Sequence, residues 1–166
     1  DCGSAEGVGH VMRCLALTEA LERRGDKVEW ITDPAAIGWL SEIFASRSYR
    51  HQPIPPSSRE IRSLVSAHGS SIVIVDSYQD QSELALELAG RGVRVVSLVD
   101  DATPRLVSDL YVCPGVRAPW LDDAESPVLA GPEFVLMRDE VRSLRPTEWE
   151  RYYDNRPLAL ALRLGG

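Results

Sequence analysis

Lysine is nearly missing from this chain: Lys27 is the only one in 166 residues, and the arginines are scattered along the sequence. With a net charge of −7, there is no clustered basic surface of the kind that neutralises nucleic-acid phosphates. Cysteine is scarce as well. Cys2, Cys14 and Cys113 are odd in number and widely spaced, with no CxxC pair and no zinc-site spacing. They point to unpaired thiols in a reducing, cytoplasmic setting. His10, His51 and His68 are equally dispersed, so neither a protein-built metal site nor a metal cofactor is expected. No apolar run approaches the ~20 residues that cross a bilayer. There is no GxSxG elbow, no Walker loop and no HExxH helix, which leaves covalent serine catalysis, P-loop chemistry and zincin chemistry without support.

What the chain does have is an ordinary globular balance, 44% hydrophobic and 26% charged, and enough length for one domain with a sizeable core. Its most informative stretch is Gly7-Val8-Gly9-His10-Val11-Met12-Arg13-Cys14. Gly7 and Gly9 suit a turn that brings bare backbone close to a ligand. A helix start beyond them offers unpaired N–H groups to an anion. His10, placed there, is the side chain most easily poised to move a proton near neutral pH. The expectation is an open crevice for a phosphorylated or oxyanionic small molecule, with the imidazole projecting into it. Arg13, one turn on, is spaced to hold a phosphate or carboxylate or to burden the protonation of His10. A dinucleotide fingerprint would need glycine where Met12 stands, although Glu29 sits about where a ribose-binding acid belongs.

Downstream, the patterning alternates. Val11 to Arg24 reads as a helix with Val11, Cys14, Leu15, Thr18 and Leu21 as its apolar stripe and Glu19, Glu22 and Arg23 on the wet side. Gly25 stops it. Lys27 to Thr32 reads as a strand, and Asp33-Pro34 opens a helix to about Ser46. The proline-rich stretch from Arg50 to Ser58 is a connector, and Glu60 to Ala67 is helical. Ser71 to Asp76 is a β-branched run of the kind buried on both faces of a parallel sheet. Asp80 to Gly90 is a helix, Val93 to Val99 another buried strand, Asp109 to Cys113 a shorter one, and Pro127 to Met137 a mixed segment. This is an α/β, Rossmann-like parallel sheet. Residues 1–145 form that lobe. Residues 146–166 comprise a connecting helix, from Pro146 to Tyr153, and the apolar strand Pro157 to Leu164 before Gly165-Gly166, where a second lobe would open. The glycine loop of such a sheet normally follows a central first strand, and the expectation is a fragment trimmed at both ends.

Asp76-Ser77-Tyr78 and Asp100-Asp101 both end buried strands, where open α/β sheets bind ligands. Asp76 and Tyr78 are placed to bind hydroxyls or to orient a histidine; a turn-capping role for Asp76 is the structural alternative. Asp100 and Asp101 are adjacent on extended backbone and point to opposite faces, so one faces the crevice while the other caps backbone or pairs with Arg105. Cys14 lies on the apolar stripe and reads as core.

GVGHVMRCLALTEAL resembles the opening motif of the nucleotide-sugar hydrolases of the pseudaminic acid pathway and of related spore-coat polysaccharide proteins. IVIVDSYQ, VVSLVDDATPRLVSDLYVCPG, AGPEFVLMRDEV and LALALRLGG resemble later blocks of that family, in the same order and over nearly the whole chain. The resemblance implies the N-terminal lobe of a two-lobed glycosyltransferase-B architecture, with the nucleotide held by the C-terminal lobe and no metal cofactor. It implies His10 as general base for water attacking the anomeric carbon, Tyr78 near the sugar, and Gly165 and Gly166 at the diphosphate. The sequence departs from the pattern at Leu106-Val107-Ser108-Asp109, where a histidine–x–cysteine–aspartate is usual. It departs again near Cys113-Pro114, where an asparagine is expected, and at Phe134, where a tyrosine is common. Three functions stay open: a hydrolase, an inverting transferase that uses the same base, and a non-catalytic sugar-binding or assembly module.

Overall fold

The computed structural model describes residues 8–89, 91–100, 107–115 and 118–144. Helix α1 (Val8–Arg23) begins three residues before the expected start and turns Val11 and Leu15 onto a core. Strand β1 (Trp30–Ile31) is far shorter than the run from Lys27 to Thr32. It pairs in parallel with β2 (His51–Gln52), a strand inside the proline-rich connector. Pro53, Pro55 and Pro56 cannot donate to a ladder, which confines β2 to the two residues ahead of them.

Asp33 caps a 3-10 turn, Pro34–Ala36, by accepting from the Ala35 N–H at 3.0 Å. Ile37 then adopts an extended conformation, and α2 (Gly38–Arg47) restarts beyond it. The expected single helix is therefore split. Leu40 and Phe44 of α2 bury against Val11 and Leu15, with Tyr49 and Trp30 completing the cluster.

The larger sheet contains β3 (Ile72–Val75), β4 (Arg94–Leu98), β5 (Leu110–Cys113) and β6 (Val128–Ala130), all parallel and in chain order across the sheet. Helices α3 (Ser58–Ala67) and α4 (Ser82–Leu88) pack on one side of it: Val65, Leu84 and Leu88 meet Val75 and Val95. Ser57 starts α3 by accepting from the Glu60 N–H at 3.3 Å. A third cluster joins Val99, Tyr111 and Cys113 to Ala118 and Leu121. The α/β parallel architecture read from the sequence is what forms.

Burial of β3 on both faces does not. Ile72 and Ile74 are 55% and 36% exposed, because both described helices that pack on β3 lie on the Val73 and Val75 side. Glu19 also departs from its expected wet face. It is buried, accepting from the Asp139 N–H at 2.8 Å and facing Arg138 Nε at 3.4 Å, and so ties α1 to the short helix α5 (Asp139–Ser143). No helix among the described residues is long and apolar enough to cross a membrane.

Parallel strand order brings the carboxyl ends of β3 and β4 to one edge of the sheet, where Asp76 and Asp100 stand. The first turns of α1 lie against that edge.

Candidate active site

Asp76 is the first residue past β3, and only 3% of its side chain is exposed. A carboxylate removed from water is costly without partners, and α1 supplies them from one face. His10, Arg13 and Cys14 lie at i, i+3 and i+4. Arg13 donates from Nε to Oδ2 at 2.6 Å and from Nη2 to Oδ1 at 2.6 Å, a two-pronged clamp. His10 Nδ1 lies 2.5 Å from Oδ1, and the Cys14 thiol donates to Oδ2 at 3.5 Å.

This geometry assigns a tautomer to the histidine. A carboxylate accepting at 2.5 Å requires the proton on Nδ1. In the neutral ring the lone pair is then on Nε2, which is buried and has no hydrogen-bond partner among the described residues. Arg13 Nη2 also lies 3.0 Å from Nδ1. With that nitrogen protonated, the contact is a cation held beside the ring and not a hydrogen bond.

Tyr78 and Asp100 form the outer part of the site. The Tyr78 ring meets the His10 ring edge-on, with centroids 4.4 Å apart. Its hydroxyl donates to Asp100 Oδ2 at 2.7 Å, and that bond, with some burial, pushes the phenol above its ordinary range. Tyr78 is thereby kept as a donor. Arg13 Nη1 lies 3.8 Å from Asp100, so one guanidinium spans both carboxylates. The bond to Asp76 is the largest of the effects that raise the Arg13 pKa further, against its own desolvation. The Cys14 thiol is pushed up first by burial and then by the charge of Asp76, which keeps it protonated and poorly nucleophilic.

Beside this cluster lies a cavity of about 320 Å³, walled by Arg13, Val99, Asp100, Pro114, Gly115 and Val135. It opens at the carboxyl ends of β4 and β5, where the sheet rule places a ligand. A second cavity, about 360 Å³ between Asp33, Phe44, Tyr49 and His51, includes none of these residues.

Several expectations need adjustment. His10 does not project into an open crevice: it is 5% exposed, held behind the Tyr78 ring and the Asp76–Arg13 pair. Arg13 does hold a carboxylate, but it is the protein's own. Asp76 orients the histidine and does not cap a turn. Gly9 lies inside α1, not in a tight turn, and a side chain added there would meet nothing. Glu29 is taken by Gln52 at 3.2 Å and Arg50 at 3.6 Å, not held for a ribose. Gly7, Asp101, Gly165 and Gly166 lie outside the described residues.

Sequence reasoning missed Cys14 as a donor to Asp76, since its apolar neighbours read as core. It also missed the Pro114-Gly115 wall. The rule that singled out Asp76 and Asp100, applied to the end of β5, would have found that wall. Among the described residues no cluster of three or more His, Cys, Asp or Glu side chains could hold a metal ion. No protein-family model matches the chain and no curated protein matches it.

Proposed function

We propose that this chain is the sugar-facing, N-terminal lobe of a two-lobed, glycosyltransferase-B-like nucleotide-sugar hydrolase, with His10 as its general base. The observation that supports this best is a buried imidazole with Nδ1–H fixed on Asp76 and the Nε2 lone pair left without a partner among the described residues. In the reaction, water places its oxygen on the anomeric carbon as the bond from that carbon to the diphosphate oxygen breaks. The water proton passes to Nε2 and the nucleoside diphosphate leaves with the bonding pair. For this step the Tyr78 ring must move off the His10 edge so that water comes within about 2.6–3.2 Å of Nε2; a base so placed is worth about 10²–10⁴ in rate.

The remaining acceleration calls for stabilisation of the leaving diphosphate by fixed donors. We assign that task to the nucleotide-binding lobe of such an architecture. Asp100, in the wall of the cavity, and Tyr78, hydrogen-bonded to it, are suited to sugar hydroxyls as acceptor and donor. The Cys14 side chain, a thiol that donates to Asp76, agrees with a reducing, cytoplasmic setting.

The test is His10→Asn in the full-length protein, with a UDP-sugar in water. The expected result is a fall in kcat of about 10²–10⁴ with little change in KM. Unchanged turnover would remove the base from the mechanism. The same lone pair would serve an inverting transferase that deprotonates an alcohol or amine. Release of free sugar without an acceptor separates the two. A non-catalytic binding module predicts no turnover in either protein and equal ligand affinity.

A further inference from the structure

We infer that Arg13 is a positioning residue whose charge opposes protonation of His10 beside a buried carboxylate and so leaves the Nε2 lone pair available. The inference rests on the hydrolase reading for its purpose but not for its test.

A histidine against a lone buried aspartate is drawn toward the charged pair, imidazolium and carboxylate, because the opposite charge favours the protonated ring. A ring already protonated has no lone pair on Nε2 and cannot accept a proton from water. Arg13 removes that pull. It contacts both oxygens of Asp76 at 2.6 Å and carries its own positive charge to 3.0 Å from Nδ1. Protonating His10 would place a second positive charge beside the first, 3.0 Å from Nη2.

Of the other groups facing the ring, two are neutral and the third, Asp100, is a carboxylate that offsets part of the Arg13 charge from its outer edge. Cys14 on α1 stays a neutral thiol, and Tyr78 past β3 stays a neutral phenol. Asp100 past β4 faces Tyr78 and the outer edge of Arg13, 3.8 Å from Nη1. The Nε and Nη2 hydrogens of Arg13 are committed to Asp76, and its remaining edge faces Asp100.

The test follows the His10 ring through its titration by NMR in the wild type, Arg13→Gln and Asp76→Asn, with the His10 signal assigned from His10→Asn. Gln at 13 is expected to move the midpoint upward by about one pH unit or more, the size of effect an opposite charge within 4–6 Å produces. Asn at 76 removes the anion nearest both the ring and Arg13 and is expected to move it downward. Arg13→Lys, which keeps the charge without the two-pronged clamp, is expected to shift it less than Gln does. In full-length protein the acidic limb of kcat/KM should follow the same order. A midpoint in Arg13→Gln equal to or below the wild type would overturn the inference. If that variant does not fold, a midpoint in Asp76→Asn that fails to drop would do the same. A shifted midpoint in a protein that releases no sugar would instead leave the inference standing and remove the hydrolase reading.

Discussion

The larger sheet carries an arginine–aspartate pair at each end, and the two differ in almost everything but composition. At the amino ends of β4 and β5, Arg94 Nη1 donates to Asp109 at 2.9 Å, with the side chains 73% and 38% exposed. At the carboxyl end of β3, Arg13 clamps Asp76 with side chains 19% and 3% exposed. The first pair sits in water, where ion pairs are worth little. Its aspartate also accepts from the Val95 N–H at 2.8 Å and so fastens the start of one strand to the next. The second pair is withdrawn from water, where a lone charge is expensive, and it encloses a histidine. Identical chemistry thus acts as a strand tie at one edge and as the enclosure of a histidine at the other. Burial makes the difference.

The widest separation between the two pairs should come from removing each aspartate. Asp76→Ala leaves Arg13 half-buried without its anion and is expected to cost about 3–5 kcal/mol in denaturant unfolding. A loss under about 1 kcal/mol would mean the site is wetter than the geometry indicates. Tyr78→Phe probes the rim of the buried site. Its hydroxyl bond to Asp100 is partly exposed, so a stability change of about 0.5 kcal/mol is expected, at the low end for a hydrogen bond. On the proposed hydrolase reading, KM for the nucleotide sugar in the full-length protein should rise several-fold while kcat changes less. The reverse split would move Tyr78 from binding into the chemical step.

Asp109 offers the smallest effect and a definite sign. The Val95 N–H first, and Arg94 second, hold its carboxyl below the usual range near 4. A group with a depressed folded pKa stabilises the fold above its unfolded pKa. That contribution is lost as pH falls through the folded value. Asp109→Asn should therefore lower stability at pH 7 by less than about 1 kcal/mol, discounted for exposure. The difference between the two proteins should shrink as pH falls below about 4. A difference that persists unchanged at low pH would show that charge contributes nothing there.

The contrast between the two pairs also marks where the sequence could be read. Val73, Val75 and Val95 announce their strands because β-branched runs fit a packed sheet, and α1 was legible from its stripe. His51 and Gln52 carry no such signal. A polar two-residue strand ahead of three prolines forms only because β1 is there to pair with it. Glu19 has the local pattern of a solvated face and is buried by Arg138 and Asp139, residues 119 and 120 positions away. At the site, the positions of His10, Asp76, Tyr78 and Asp100 came from strand ends and a helix start. The fork from Arg13 to Asp76 did not. It spans 63 residues, and spacing along α1 alone could equally have sent that guanidinium to a ligand. The closing of the ring behind Tyr78 was illegible for the same reason.

His10 can act as a base only if its proton sits on Nδ1, and nitrogen-15 NMR of the ring in the wild type near pH 7 reads this directly. It should show a neutral imidazole protonated at Nδ1, with Nε2 bare. A ring protonated at Nε2, or at both nitrogens, would contradict the assignment of His10 as the base, because no lone pair would then be available to take a proton from water.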